Sequence, residues 1–124
     1  MRVLIVEDEW MIAIRIEQSL AAAGIVVAGK VGSVELALSA IDAGGLDAVV
    51  LDTNLGGESA EPVADVLVAK GIPFLVVTGY ARQQRPGRLA AAPSLRKPFT
   101  SPDLLKLLYQ LRLDGAPENV ASKA

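Results

Sequence analysis

Apolar residues in this chain occur in short unbroken runs, separated by stretches where they recur every three or four positions. Val3-Leu4-Ile5-Val6, Ala48-Val49-Val50-Leu51 and Phe74-Leu75-Val76-Val77 are such runs. A run without polar alternation reads as a strand covered on both faces, the condition of a parallel sheet. Strands are therefore predicted at 2–6, 25–31, 47–51 and 73–77, with a brief fifth at 93–96. Helical spacing fills the gaps. Ile12, Ile16 and Leu20 line one face of a helix over 9–23 that stops at Gly24. Ser33 caps a second helix through Val34, Ala37, Leu38 and Ile41, which ends before Gly44-Gly45. Ser59 or Ala60 opens a third, with Pro62 in the first turn, where a missing N–H costs no helical hydrogen bond. Pro102 starts a last helix through Leu104, Leu105, Leu107, Leu108 and Leu111.

Strands alternate with helices five times, with short connections and no internal repeat. That order predicts an α/β domain: a doubly wound five-stranded parallel sheet with helices on both faces and right-handed crossovers. Between the fourth and fifth strands, Pro86-Gly87 interrupts residues 82–92, so only a short or irregular helix is expected there. Residues 1–112 make the single domain. Residues 113–124 are small, polar and aperiodic, and read as a disordered tail.

Composition narrows the chemistry. The 124 residues suit one domain, and 52% hydrophobic content is ample for its core. The chain has no cysteine and no histidine, which removes disulfides, thiolate or imidazole metal sites, and histidine-based acid/base catalysis. A net charge of −2 gives no electrostatic case for nucleic acid. No apolar run approaches the roughly 18 residues of a membrane span. The first strand begins almost at the N-terminus, leaving no room for a signal peptide, so a cytoplasmic protein is expected.

What chemistry remains is concentrated at strand ends. Glu7 and Asp8 follow the first predicted strand, Asp52 the third, Thr78 the fourth and Lys97 the fifth. An unpaired charge is too costly to bury, so these groups belong at the carboxyl edge of the sheet, where open α/β folds keep their ligand crevice. If the first and third strands are neighbours, Glu7, Asp8 and Asp52 converge there. Three carboxylates together repel unless a hard cation lies between them, and Mg²⁺ suits an all-oxygen site. The Thr78 hydroxyl can donate to a phosphoryl oxygen, Gly79 leaves space above it, and Lys97 supplies a positive charge. Lys97-Pro98 marks a constrained turn compatible with a cis peptide. An acidic pair at a helix N-terminus is also a stabilising cap, but a cap does not explain Asp52 and Lys97 at matching positions.

With these residues in order, the chain resembles a CheY-like response-regulator receiver domain, of flavodoxin-like fold, across residues 2–112. The resemblance implies a stand-alone regulator of a two-component phosphorelay. Asp52 would accept a phosphoryl group from a histidine kinase or a histidine phosphotransfer protein. Glu7, Asp8, Asp52 and the backbone carbonyl of Asn54 would hold Mg²⁺, while Thr78 and Lys97 clamp phosphoryl oxygens. It implies no enzyme with a separate substrate, no nucleic-acid or membrane partner, and a monomer or weak dimer.

Pro73-Phe74-Leu75-Val76-Val77-Thr78-Gly79-Tyr80, with Lys97-Pro98-Phe99 downstream, is similar to the PFxFATGY motif of the alphaproteobacterial FAT GUY receivers, associated with HWE-type kinases. Leu75-Val76-Val77 departs from that motif. The aromatic switch residue usual three positions before the lysine is Ser94 here, which leaves Thr78 and Tyr80 as the switch candidates. An aspartyl-nucleophile phosphatase would want a second aspartate two residues past the nucleophile. Asn54 stands there, and an amide cannot shuttle a proton. A phosphorylation-independent interaction module is the other alternative, and the intact site speaks against it. Two further expectations concern output: residues 82–92 as a mobile element, and Trp10, Met11 and Ile14 as a surplus of apolar side chains for kinase docking.

Overall fold

A computed structural model describes residues 1–79, 87, 89 and 92–115. Strand β1 is Arg2–Val6, followed by helix α1, Trp10–Ala22; β2 is Val26–Val31 and α2 Val34–Ala43. Strand β3, Ala48–Asp52, leads into a small ribbon of β4, Asn54–Leu55, and β5, Glu58–Ser59. Helix α3 is Glu61–Lys70, β6 Phe74–Thr78, β7 Ser94–Arg96, and α4 Ser101–Gly115. Among the described residues the main sheet has five strands in the order β2-β1-β3-β6-β7, every neighbouring pair parallel. This is the doubly wound sheet the sequence predicts, and it puts the first and third strands side by side. The strand order reverses between them, which makes their carboxyl ends the edges of a crevice.

Side chains alternate across the sheet with the two-residue period of a strand. Leu4, Val6, Val49, Leu51, Phe74 and Val76 face α2 and α3, and join Ala37, Ile41, Val63 and Leu67 in one core layer. Val3, Ile5, Ala48, Val50, Leu75 and Val77 face the other way, onto Ala13, Ile16 and Leu20 of α1 and Leu104 and Leu108 of α4. Each fully buried aliphatic side chain contributes about 1.5–3 kcal/mol, so the two layers hold the central strands rigidly. In α1 the innermost line is Ala13, Ile16 and Leu20, while Ile12 is only partly buried. The expected Ile12–Ile16–Leu20 line is thus rotated slightly, because Ala13 is small enough to approach the sheet closely.

Local signals act as expected at the helix ends. The Ser33 hydroxyl accepts the Leu36 N–H at 3.1 Å, an N-cap for α2. Pro62 lies in the first turn of α3. The ribbon after β3 is new to the sequence reading. Its two-residue turn is Gly56-Gly57, with φ of +60° and +90°, the left-handed conformation that glycine adopts without strain. Helix α4 continues to Gly115, three residues past the expected domain limit at 112. No described helix is long and apolar enough to cross a membrane.

Candidate functional site

Every sequence-predicted strand-end residue within the described part lies at the carboxyl edge of the sheet. Glu7 and Asp8 leave β1, Asp52 ends β3, Thr78 ends β6, and Lys97 follows β7. Pairing of β1 with β3 brings Val6 beside Leu51, so the next residues on each chain meet across the crevice. One carboxylate oxygen from each of Glu7, Asp8 and Asp52 lies within 4.8 Å of the others. The cleft above them is lined by Asp8, Glu9, Asp52, Thr53, Asn54, Gly79 and Lys97. A Cβ added to Gly79 would meet nothing within 4 Å, which keeps this mouth open. At the back, a Cβ on Gly32 would come within 3.4 Å of the Asp8 backbone, so the turn after β2 supports the acidic pair from below.

The acids are deeper than strand ends facing solvent would be. Glu7 is 4% exposed and Asp52 6%, whereas Asp8 is exposed. What permits this is Lys97, whose Nζ lies 3.2 Å from Glu7 Oε1, 3.5 Å from Asp52 Oδ2 and 3.5 Å from Glu9 Oε1. Burial and the neighbouring Glu7 push the Asp52 carboxyl up to about 7, against the opposing pull of Lys97 and the Asn54 N–H. Burial of Lys97 disfavours its charge, but the Asp52 and Glu7 carboxylates outweigh that and raise it above the ordinary lysine value. Asp8 is also partly desolvated, yet the Gly56 N–H donated to its Oδ2 at 2.9 Å and bonds within the acidic cluster hold it below the usual range.

Glu7 explains what the cluster lacks. Its Oε2 accepts the Glu9 N–H at 3.1 Å. Its Oε1 is close to Lys97 but receives no hydrogen bond, a buried oxygen left without a directed donor. Such an atom is costly unless something electropositive faces it, and here the Lys97 ammonium does, shared with Asp52 and Glu9. Three convergent carboxylates, with one of them held up by a like charge and only one lysine to balance them, make an all-oxygen donor set that fits a hard divalent cation.

Asn54 stands at the cleft as expected, but its side-chain oxygen accepts the Gly57 N–H at 2.9 Å and closes the ribbon. Thr78 is buried at 1% exposure, with its Oγ1 3.1 Å from the Thr53 hydroxyl. The peptide between Lys97 and Pro98 is cis. Ser94 lies exposed on β7, beside Val76. Tyr80 lies outside the described residues, as does the 82–92 segment apart from Gly87, Leu89 and Ala92. Trp10 and Met11, at the start of α1 beside the acidic pair, are 69% and 68% exposed.

Three residues of the site were not anticipated. Glu9 supplies a carboxylate to Lys97, Thr53 bonds Thr78, and Gly56 anchors Asp8. A signal existed for two of them. Glu9 extends the acidic pair, and Thr53 is a polar residue directly after the third strand. Gly56 contributes only its backbone, which no residue type advertises.

The chain is similar along most of its length to several solved structures. SdrG from Sphingomonas melonis Fr1 is 41% identical with a TM-score of 0.79, over 89% of this chain and 94% of that one. The BeF3-activated conformation of SdrG from Pseudomonas melonis Fr1 is 39% identical, with a TM-score of 0.77, over 90% of this chain and 95% of that one. The response regulator PhyR from Brucella abortus is 26% identical with a TM-score of 0.83; the match takes in 98% of this chain but 51% of PhyR. No protein-family model matches the sequence, and no curated protein matches it.

Proposed function

The chain belongs to the response-regulator receiver domains, and hence to two-component signal transduction, and we propose that Asp52 is its phosphoacceptor. The phosphodonor is a histidine kinase or a histidine phosphotransfer protein, and the response passes to a partner by contact or by onward transfer. The observation that carries the reading is the convergence of Glu7, Asp8 and Lys97 on the buried Asp52 carboxylate. SdrG, which is similar along nearly all of this chain, is known in a BeF3-activated conformation.

In the transfer, an Asp52 carboxylate oxygen attacks the phosphorus of the donor. The P–N bond to the donor imidazole breaks, its electron pair stays on nitrogen, and an acyl phosphate forms on Asp52. Attack requires the ionised carboxylate, which the Glu7 charge disfavours and Lys97, 3.5 Å away, favours. Lys97 also balances the charge on the equatorial phosphoryl oxygens, and Thr78 donates its hydroxyl proton to one of them. Mg²⁺, held by Glu7, Asp8, Asp52 and the Asn54 carbonyl, would supply the remaining charge neutralisation. Asn54 offers no carboxyl for proton transfer at the position a hydrolase would use, so the acyl phosphate is a signal rather than a turnover intermediate. The chain is therefore read as a phosphoacceptor and not as an enzyme with a separate substrate.

The test is labelling with acetyl phosphate, followed by intact mass and phosphate-affinity gels. The parent should gain one phosphoryl group in Mg²⁺ and none in EDTA, and Asp52→Asn should gain none. Labelling that survives the substitution would remove Asp52 from this role.

A further inference from the structure

Thr53 is not among the residues that touch a phosphoryl group in the mechanism above, yet it is buried beside one of them. The register that sets Asp52 of β3 beside Val77 of β6 sets Thr53 beside Thr78 when continued by one residue. Alternation places this pair on the α2/α3 side of the sheet, above Leu51 and Val76, and places Asp52 on the opposite side with Val77. The two hydroxyls are 3.1 Å apart and both residues are buried. Thr53 lines the cleft whereas Thr78, at 1% exposure, does not.

Either hydroxyl can be the donor in this bond, and in both cases it needs the two oxygens face to face. To donate its proton to a phosphoryl oxygen on Asp52, Thr78 must turn its Oγ1 toward the cleft by a rotamer change, and so out of the geometry it shares with Thr53. The Thr53 bond therefore exists in one arrangement and is lost in the other. A contact made in only one of two states shifts the equilibrium toward that state. We propose that Thr53 is a positioning residue, a latch that holds Thr78 in the unphosphorylated arrangement and sets how readily the phosphoryl group recruits it. This inference rests on the phosphoacceptor reading of Asp52.

Beryllofluoride, a phosphoryl mimic, is titrated in saturating Mg²⁺ into the parent, Thr53→Val, Thr53→Ala and Thr53→Ser. Loss of the hydroxyl in the Val and Ala variants should tighten apparent beryllofluoride affinity by about fivefold, the factor one net buried hydrogen bond supplies. Thr53→Ser keeps the hydroxyl and should stay within about twofold of the parent, well inside that factor. A gain in affinity restored by serine is not what a merely structural defect produces. Unchanged or weaker binding by folded Val and Ala variants, or a serine variant that behaves like them, would overturn the latch. So would failure of both hydroxyl-free variants to fold, which would assign Thr53 to the core instead. A parent protein that ignores beryllofluoride would refute the phosphoacceptor reading itself, a result separate from any difference among the variants.

Discussion

Replacing Asp52 by Asn should stabilise this protein in the absence of divalent cations, and more so as the pH rises. The Asp52 carboxyl has an ordinary value of 3.8 and is pushed up to about 7 by burial and by Glu7. The sign follows from linkage. An acid with a raised value in the folded state keeps its proton longer there than in the unfolded chain. The Asp52 contribution to stability is therefore most favourable below pH 3.8, falls as the pH climbs through the window up to about 7, and is flat above it. A displacement of about three units corresponds to about 4 kcal/mol at pH 8, an upper bound because the site relaxes. The asparagine amide is nearly isosteric with the protonated carboxyl and can give Glu7 the same hydrogen bond. We therefore expect Asp52→Asn to gain about 2–4 kcal/mol at pH 8 in EDTA, and less than half of that at pH 5. For a domain of this size that is about 10 °C or more in Tm at the higher pH. Urea unfolding followed by circular dichroism at both pH values measures it. Adding Mg²⁺ should stabilise the parent far more than the variant, since the cation then relieves the same repulsion. A gain independent of pH, or a loss at pH 8, would refute the reasoning, because the Asp52 charge would then not be the strained element.

Lys97→Met should abolish the response of partner binding to phosphorylation and lower Mg²⁺-free stability at pH 8 by about 3 kcal/mol. It leaves the buried Glu7 and Asp52 charges without their cation, and denaturant titration with a partner-binding assay reads both effects. Trp10→Ala should slow phosphoryl transfer from a cognate kinase by about tenfold while acetyl phosphate labelling stays near the parent rate, as expected of an exposed aromatic anchor beside the acceptor. Equal loss in both assays would place Trp10 in the fold or the site. Ser33→Ala should cost about 1 kcal/mol by removing the α2 cap, with labelling unchanged, as urea midpoints would show.

Much of this molecule is written locally. A run such as Val49-Val50-Leu51 lacks the polar alternation of a half-exposed strand, and its shortness and β-branched residues favour a strand covered on both faces over a buried helix. The residue that ends such a run must lie at the edge of the sheet, which pointed to Glu7, Asp8, Asp52 and Thr78, while Lys97 stood out through the Lys97-Pro98-Phe99 tripeptide after the brief fifth strand. Helix limits were legible for the same reason, because Ser33 and Pro62 act on their own turn of backbone.

Tertiary structure decided what depends on residues far apart in the chain. Adjacency of β1 and β3 turned separate acids into a cluster, and burial together with the neighbouring Glu7 raised the Asp52 carboxyl well above its ordinary value, against the pull of Lys97. The register of β3 against β6 put Thr53 against Thr78, and the Gly56-Gly57 turn carried a backbone N–H back to Asp8 across 48 positions. Residue type and short spacing encode the dihedral preferences and the apolar face of one segment. Register, burial and electrostatic coupling arise only when segments with no local relation are packed into the same low-dielectric volume.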